Sequence, residues 1–333
     1  MTGRGLIAFL LTLGVVFPAC RKDHPLGQEV LPAECVPTPP TPLQGWNYQL
    51  PAHVLGAANF NPLDGDEIMF FDLAHGSTSD YELHRYVLGA GTTEMILAGS
   101  NLVNQGYSWG TNGHVLLSMY ASDGTRNIFK CTENGDSLQQ VTFTDWNFNP
   151  IWSPDAERWA YSDHSAGLST SWICSATGDS CIVYGRAIGE MTEWYSDSSI
   201  ATILSMTSSF ALFNWAIPTD NMHIVHDIPY EQGNMGGPTG LTVLPDGRTA
   251  LWLQTIGLYK TDLKTGVTEK VIGGTCNSQY FVGLDYSPHT NKLLTTRITR
   301  TPAGDRDLMI STDIVLMNPD GSGQEVLNIP FPE

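Results

Sequence analysis

The chain has 333 residues, of which 15% are charged and 41% hydrophobic, with 34 acids against 16 bases and a formal net charge of −18. That balance excludes a nucleic-acid binder, since phosphate recognition needs clustered Lys and Arg, and it excludes an electrostatic hold on anionic lipid. The hydrophobic content is too high for a disordered chain, and the 33 Gly and 20 Pro leave little room for long helices.

At the amino terminus, Arg4 precedes an apolar run of 12 residues from Leu6 to Phe17. A bilayer span takes roughly 20, whereas a shorter run suits the core of an export signal. The run ends in Ala19-Cys20, which resembles the lipobox of bacterial lipoproteins. That resemblance implies cleavage after residue 19 and lipid on the Cys20 thiol and new amino group. The other reading is an ordinary secretory signal with an incidental Cys20. Residues 20–45 follow, with six Pro between positions 21 and 45 and no apolar periodicity. They read as an extended tether. The expectation is a lipid-anchored protein of the bacterial cell envelope that meets the membrane only through its anchor.

From residue 46 the chain repeats. The clearest unit, Asn149 to Tyr161, reads as a strand, a tight turn at Pro154-Asp155 and a second strand. Aligned copies place Asp64, Asn112, Asp155, Asp197, Asp246 and His289 in register, at spacings of 48, 43, 42, 49 and 43 residues. Three positions before each stand Asn61, Trp109, Trp152, Trp194, Val243 and Tyr286, four of them aromatic. A second hairpin follows each unit, turning at Asn134-Gly135, Thr177-Gly178, Thr265-Gly266 or Asp320-Gly321. Weaker copies are Leu83 to Val87 with Glu94 to Leu97, and Leu212 to Trp215 with His223 to Val225. A sheet of about 45 residues buries little alone, but six arranged radially bury both faces of each. The predicted fold is all-β: a six-bladed β-propeller of four-stranded antiparallel blades over residues 46–333. Trp46 to Leu55 is expected to join the last sheet and close the ring.

The segments NPIWSPDAERWAYS, VLPDGRTALW and DIVLMNPDGSGQEVLN resemble the WD40-like repeats of the TolB-type six-bladed propellers. The resemblance implies the fold and says little about function. Related propellers precede the peptidase domain of prolyl-oligopeptidase-type enzymes, and oligogalacturonate lyases use one with several His on a metal. No residue here can be matched to that metal site.

No nucleophile elbow, zinc-protease motif, phosphate loop or C-x-x-C pair is present, so no catalytic residue, cofactor or metal is expected. His84 and His289 read as isolated, and His223 and His226 as pointing to opposite faces of a strand. Asp64-Gly65-Asp66-Glu67 has the oxygen content for Ca²⁺, but a repeat turn explains it. Trp109, Trp152 and Trp194 recur at one position, which favours packing between blades over sugar stacking. Cys174 and Cys181 flank a hairpin turn at offsets suited to a disulfide. Cys35 with Cys276 is a second candidate pair, which leaves Cys131 as a buried thiol.

Three long connections are the expected partner-binding loops: Phe71 to Glu82 with His75, Tyr230 to Gly237 with Tyr230 and Asn234, and Arg297 to Thr312 with Arg297, Arg300 and Arg306. The three Arg stand out in an acidic chain as a place for an anionic group. Two functions follow. One is a non-enzymatic interaction or scaffold module for an envelope protein or cell-wall component. The alternative is a glycan-active lyase or hydrolase using acids in the propeller channel.

Overall fold

The computed structural model describes residues 47–73, 80–165, 169–185, 188–189, 191–229, 237–254, 257–272, 279–302 and 307–331. Six sheets form, each an antiparallel meander of four strands in chain order, with one strand added to the last. The inner strands are Val54–Phe60, Leu102–Trp109, Asn147–Trp152, Met191–Ser196, Pro238–Val243 and Gln279–Ser287. Each packs beside the inner strands before and after it, and the sixth returns to the first. The molecule is a six-bladed β-propeller. Among the described residues no helix is long and apolar enough to cross a membrane.

Burial on both faces of every blade holds the ring together. The second strand of blade one, Glu67–Leu73, is buried at every position after the first. Met69 and Phe71 face blade two, packing with Tyr107, Val115 and Leu117. Ile68 and Phe70 face blade six, packing with Leu294 and Ile314. One apolar cluster fills each of the six seams. Such alternation, apolar on both sides, stabilises a sheet only when both faces are covered. Trp109, Trp152 and Trp194 lie buried in three successive seams, which is the packing role their recurrence suggested.

All six inner strands slip register against their second strands. Four carry a left-handed residue at the slip: Ala57, Gly106, Asn149 and Gly283. A bulge bends the strand and re-aims the residues after it. Gly106 shows why bulk is excluded: a Cβ there would lie 3.1 Å from the Cα of Asn149 in the next blade.

The tight turns gather on one face of the disc. Asp64 Oδ1 accepts the Asp66 N–H at 2.9 Å, and Asp246 Oδ1 accepts the Arg248 N–H at 2.9 Å. These carboxylates hold turns, so the Asp64 cluster needs no cation to explain it. The turn residues also bridge blades. Asn112 Nδ2 donates to the Ala156 carbonyl at 3.2 Å, and a guanidinium nitrogen of Arg158 donates to the Asp197 carbonyl. His289 Nε2 lies 3.2 Å from the Pro62 carbonyl, across the seam between blades six and one.

Three expectations need correction. Only Asn47–Gln49 of the closing segment joins the last sheet, parallel to Asp307, Leu308 and Met309 of the third strand, Asp307–Met317. Pro51 cannot donate to a ladder, and Val54-Leu55 already belong to blade one. Glu325–Val326 pairs with the other end of that third strand, so strands from both ends of the described residues share one edge. The Arg297 to Thr312 connection is an extended hairpin: strands Lys292–Pro302 and Asp307–Met317 pair across it from Leu293↔Met317 to Pro302↔Leu308. Phe71 to Leu73 and Tyr81-Glu82 likewise belong to strands of blade one.

Candidate functional site

The inner strands surround an axial channel of about 570 Å³. Its walls include Asn59, Ser108, Ile151, Glu193, Thr242 and Asp285. An inner strand leaves one backbone edge without a sheet partner, and side chains from the neighbouring blade satisfy part of it. Asp285 Oδ2 accepts the Phe60 N–H at 2.7 Å from blade six to blade one. Ser108 Oγ accepts the Trp152 N–H at 3.0 Å from blade two to blade three. The Glu193 carboxyl accepts no hydrogen bond among the described residues and lines the same space.

Both carboxyls sit deep in the disc while facing the channel. Burial pushes Asp285 up to about 6, against the pull of the N–H groups it accepts. Burial raises Glu193 well above the usual range, and the Asp285 charge adds to the rise. The same charge acts, after burial, on the hydroxyl of Tyr107. Neither acid was singled out by the sequence reading, although each directly precedes a recurring anchor position, Trp194 or Tyr286.

The face opposite the tight turns carries the connections between second and third strands and those between blades. The strand ends that flank all three expected partner loops open there: Leu73 and Tyr81, Pro229 and Pro238, and Pro302 and Asp307. His75, Tyr230, Asn234 and Arg306 lie outside the described residues, as do Cys20, Cys35 and Cys276. Arg297 and Arg300 are described, and they are engaged. Arg297 Nη2 donates to Asp313 Oδ2 at 2.7 Å. Arg300 Nη2 donates to the Tyr280 hydroxyl at 3.0 Å, with its guanidinium 4.8 Å from that ring's centroid. The pair therefore does not form an open cationic patch.

The same face presents an aromatic platform that the sequence reading missed. It lies on residues 141–148, between blades two and three. Phe143 is 80% exposed and Trp146 50% exposed. Trp146 has φ of +64°, a conformation that a bulky residue adopts only when its surroundings impose it. Its carbonyl accepts the His164 N–H at 3.0 Å. Its ring stacks on Phe148 at 6.2 Å, with His164 edge-on to Phe148 at 5.1 Å and the Arg126 guanidinium 4.0 Å above the same ring.

The cysteines and histidines fall elsewhere. Cys174 and Cys181 are directly opposed and joined by a disulfide. Cys131 is buried, and burial pushes its thiol up to about 12, which makes it unreactive. His226 lies against Trp252, and His223 is exposed. His84 is not isolated: its Nε2 is 2.9 Å from Glu82 Oε2.

No protein-family model matches the chain. No curated protein matches it either. Solved structures do. The β-propeller domain of the Trilobed protease from Pyrococcus furiosus is 8% identical with a TM-score of 0.51, over 83% of this chain and 95% of that one. Acylaminoacyl peptidase from Pyrococcus horikoshii is 10% identical with a TM-score of 0.51, over 83% of this chain and 52% of that one. TolB from Acinetobacter baumannii is 13% identical with a TM-score of 0.38, over 83% of this chain and 54% of that one. The chain thus spans about half the length of the last two. At these identities the likeness shows the propeller fold alone.

Proposed function

We propose that this chain is a lipid-anchored propeller of the bacterial envelope that docks an envelope protein or cell-wall component on its loop face and performs no chemistry itself. The observation that carries this reading is the platform of Phe143 and Trp146. Two large rings three residues apart stand in water, and Trp146, in a strained backbone conformation, rests on the Phe148 ring, on the face where the long connections emerge. Exposed aromatic surface on a fixed support is the anchor chemistry of binding sites. The net charge of −18 sets the partner's character as neutral or basic. The acyl group on Cys20 and the tether to residue 45 would hold this face within reach of the envelope.

The test uses lipidated protein and native envelopes separated into membranes and cell-wall sacculi. Wild type is expected to co-sediment with one fraction, and Phe143→Ser with Trp146→Ser to lose at least ~10-fold in affinity, as hot-spot truncation does. Asp136→Ala, in a turn on the opposite face, should bind as wild type. Equal binding by all three proteins would sink the reading.

The raised carboxyls of Glu193 and Asp285 favour a second reading, in which the channel hosts general acid–base chemistry on a glycan. Incubation with cell-wall polysaccharide fragments should then release shortened products, and Glu193→Gln should abolish them. No product from wild type removes this reading.

A further inference from the structure

Blade one carries a buried group of titratable side chains unrelated to the channel or the platform. The second and third strands, Glu67–Leu73 and Tyr81–Val87, set Asp72 opposite Glu82 and Phe70 opposite His84. Glu82 and His84 are two apart on one strand, so they share the face turned to blade six. Asp72 is 1% exposed and His84 3%. One ligand atom from each of Asp72, Glu82 and His84 lies within 4.8 Å of the others.

Two features of this group call for a cation. Like charges directly opposite on neighbouring strands repel, and here one of the two is buried. His84 Nδ1 is buried with no hydrogen-bond partner, although Nε2 faces Glu82. A buried ring nitrogen without a partner is costly unless something takes it up. Asp72 is also held in place: its Oδ2 is 2.6 Å from His53 Nδ1, and its Oδ1 accepts the Val54 N–H at 2.9 Å. That is how supporting contacts orient a ligand carboxylate.

We propose that Asp72, Glu82 and His84 bind one divalent transition-metal ion of the zinc class, with His53 positioning Asp72. Imidazole with carboxylates selects zinc-like ions over calcium. Ligand atoms this close reach the usual bond lengths of about 2.0–2.2 Å after small side-chain rotations. The side of the group formed by His53 and Glu82, which are 39% and 31% exposed, is the entry path.

The position gives the ion a task. The Phe331 ring, near the carboxyl end, stacks on His53 at 3.6 Å and meets His84 edge-on at 5.7 Å. Leu55, at the start of blade one, donates its N–H to Thr312 Oγ of blade six at 2.7 Å. The group therefore sits where the beginning and end of the disc come together. An ion here would fix His84 and, through Asp72, His53, the two rings that Phe331 packs against.

The experiment dialyses the full chain against chelator and then against Zn²⁺, and reads bound metal by elemental analysis, affinity by calorimetry and the melting temperature. Wild type is expected to bind one tightly held Zn²⁺ and to melt several degrees higher with it. Glu82→Gln and His84→Gln should lose that equivalent together with the thermal shift. His53→Gln should weaken binding by ~10–100-fold, as loss of a supporting contact does. Glu82 is partly exposed, so Glu82→Gln keeps the test sound should His84→Gln not fold. His223→Gln should leave binding unchanged. No stoichiometric Zn²⁺ in wild type, or undiminished binding by folded Glu82→Gln, overturns the proposal.

Discussion

Replacing Trp194 by Ala is expected to lower the stability of the propeller by ~3–5 kcal/mol, the range for truncating a large buried aromatic side chain. Trp194 fills the seam between blades three and four, against Ala160, Ile173, Ile200, Trp215 and Ile217. The Arg158 guanidinium lies 5.3 Å over its ring. Neighbouring strands cannot close over the cavity without shifting a blade, so most of the loss persists. Trp194→Phe should cost less than half as much. It keeps an aromatic ring in the seam and discards an indole N–H that is buried without a hydrogen-bond partner. Urea titrations followed by far-UV circular dichroism read both values, with the midpoint falling at unchanged slope. The result separates packing from sugar stacking. If Trp194→Ala unfolds at the wild-type midpoint and loses affinity for a polysaccharide instead, the ring belongs to a binding site.

The propeller was legible because its signals are local and repeated. Turn pairs such as Asn134-Gly135 and Asp320-Gly321, and anchors every 42–49 residues, each follow from backbone chemistry within a few residues. Their recurrence then fixed the blade count. What escaped the sequence has long-range causes. Asp72 and His84 meet through strand pairing across a connection whose length says nothing of register, so His84 read as isolated. The stretch Arg297 to Thr312 reads as a loop because it holds Arg297, Arg300 and Arg306. Its Thr and Ile residues are strand formers, and Asp313 and Tyr280 receive the Arg297 and Arg300 side chains. Trp146 was invisible as a site because its exposure depends on a positive φ, and no composition rule puts a Trp there. The positions of Glu193 and Asp285 were marked by the anchors that follow them. Their acidity occurs in two blades of six and carries no period.

Asp285→Asn is expected to stabilise the protein at neutral pH and to leave it unchanged at pH 4. The sign follows from proton linkage. Asp285 is pushed up to about 6 in the folded state, whereas an unfolded Asp titrates near 3.9. The folded chain therefore holds this proton more tightly, and stability falls as pH rises from about 4 to about 6, then levels. The full shift corresponds to about 3 kcal/mol at 1.36 kcal/mol per unit. Channel solvent reduces the gain from substitution to ~1–2 kcal/mol, the pull of the Phe60 N–H being already contained in the folded value. Asn keeps a carbonyl oxygen for that N–H, so the inner-strand edge stays satisfied. Urea midpoints of both proteins at pH 4, 5, 6 and 7 should converge at the acid end and separate steadily above it. A constant difference across the series, or a less stable variant at pH 7, would show that Asp285 serves the fold more than burial penalises it. Glu193 has the same sign for the same reason, and neutralising Asp285 removes part of its rise as well. Two acids are thus held where ionisation opposes folding, and one of them accepts no hydrogen bond among the described residues.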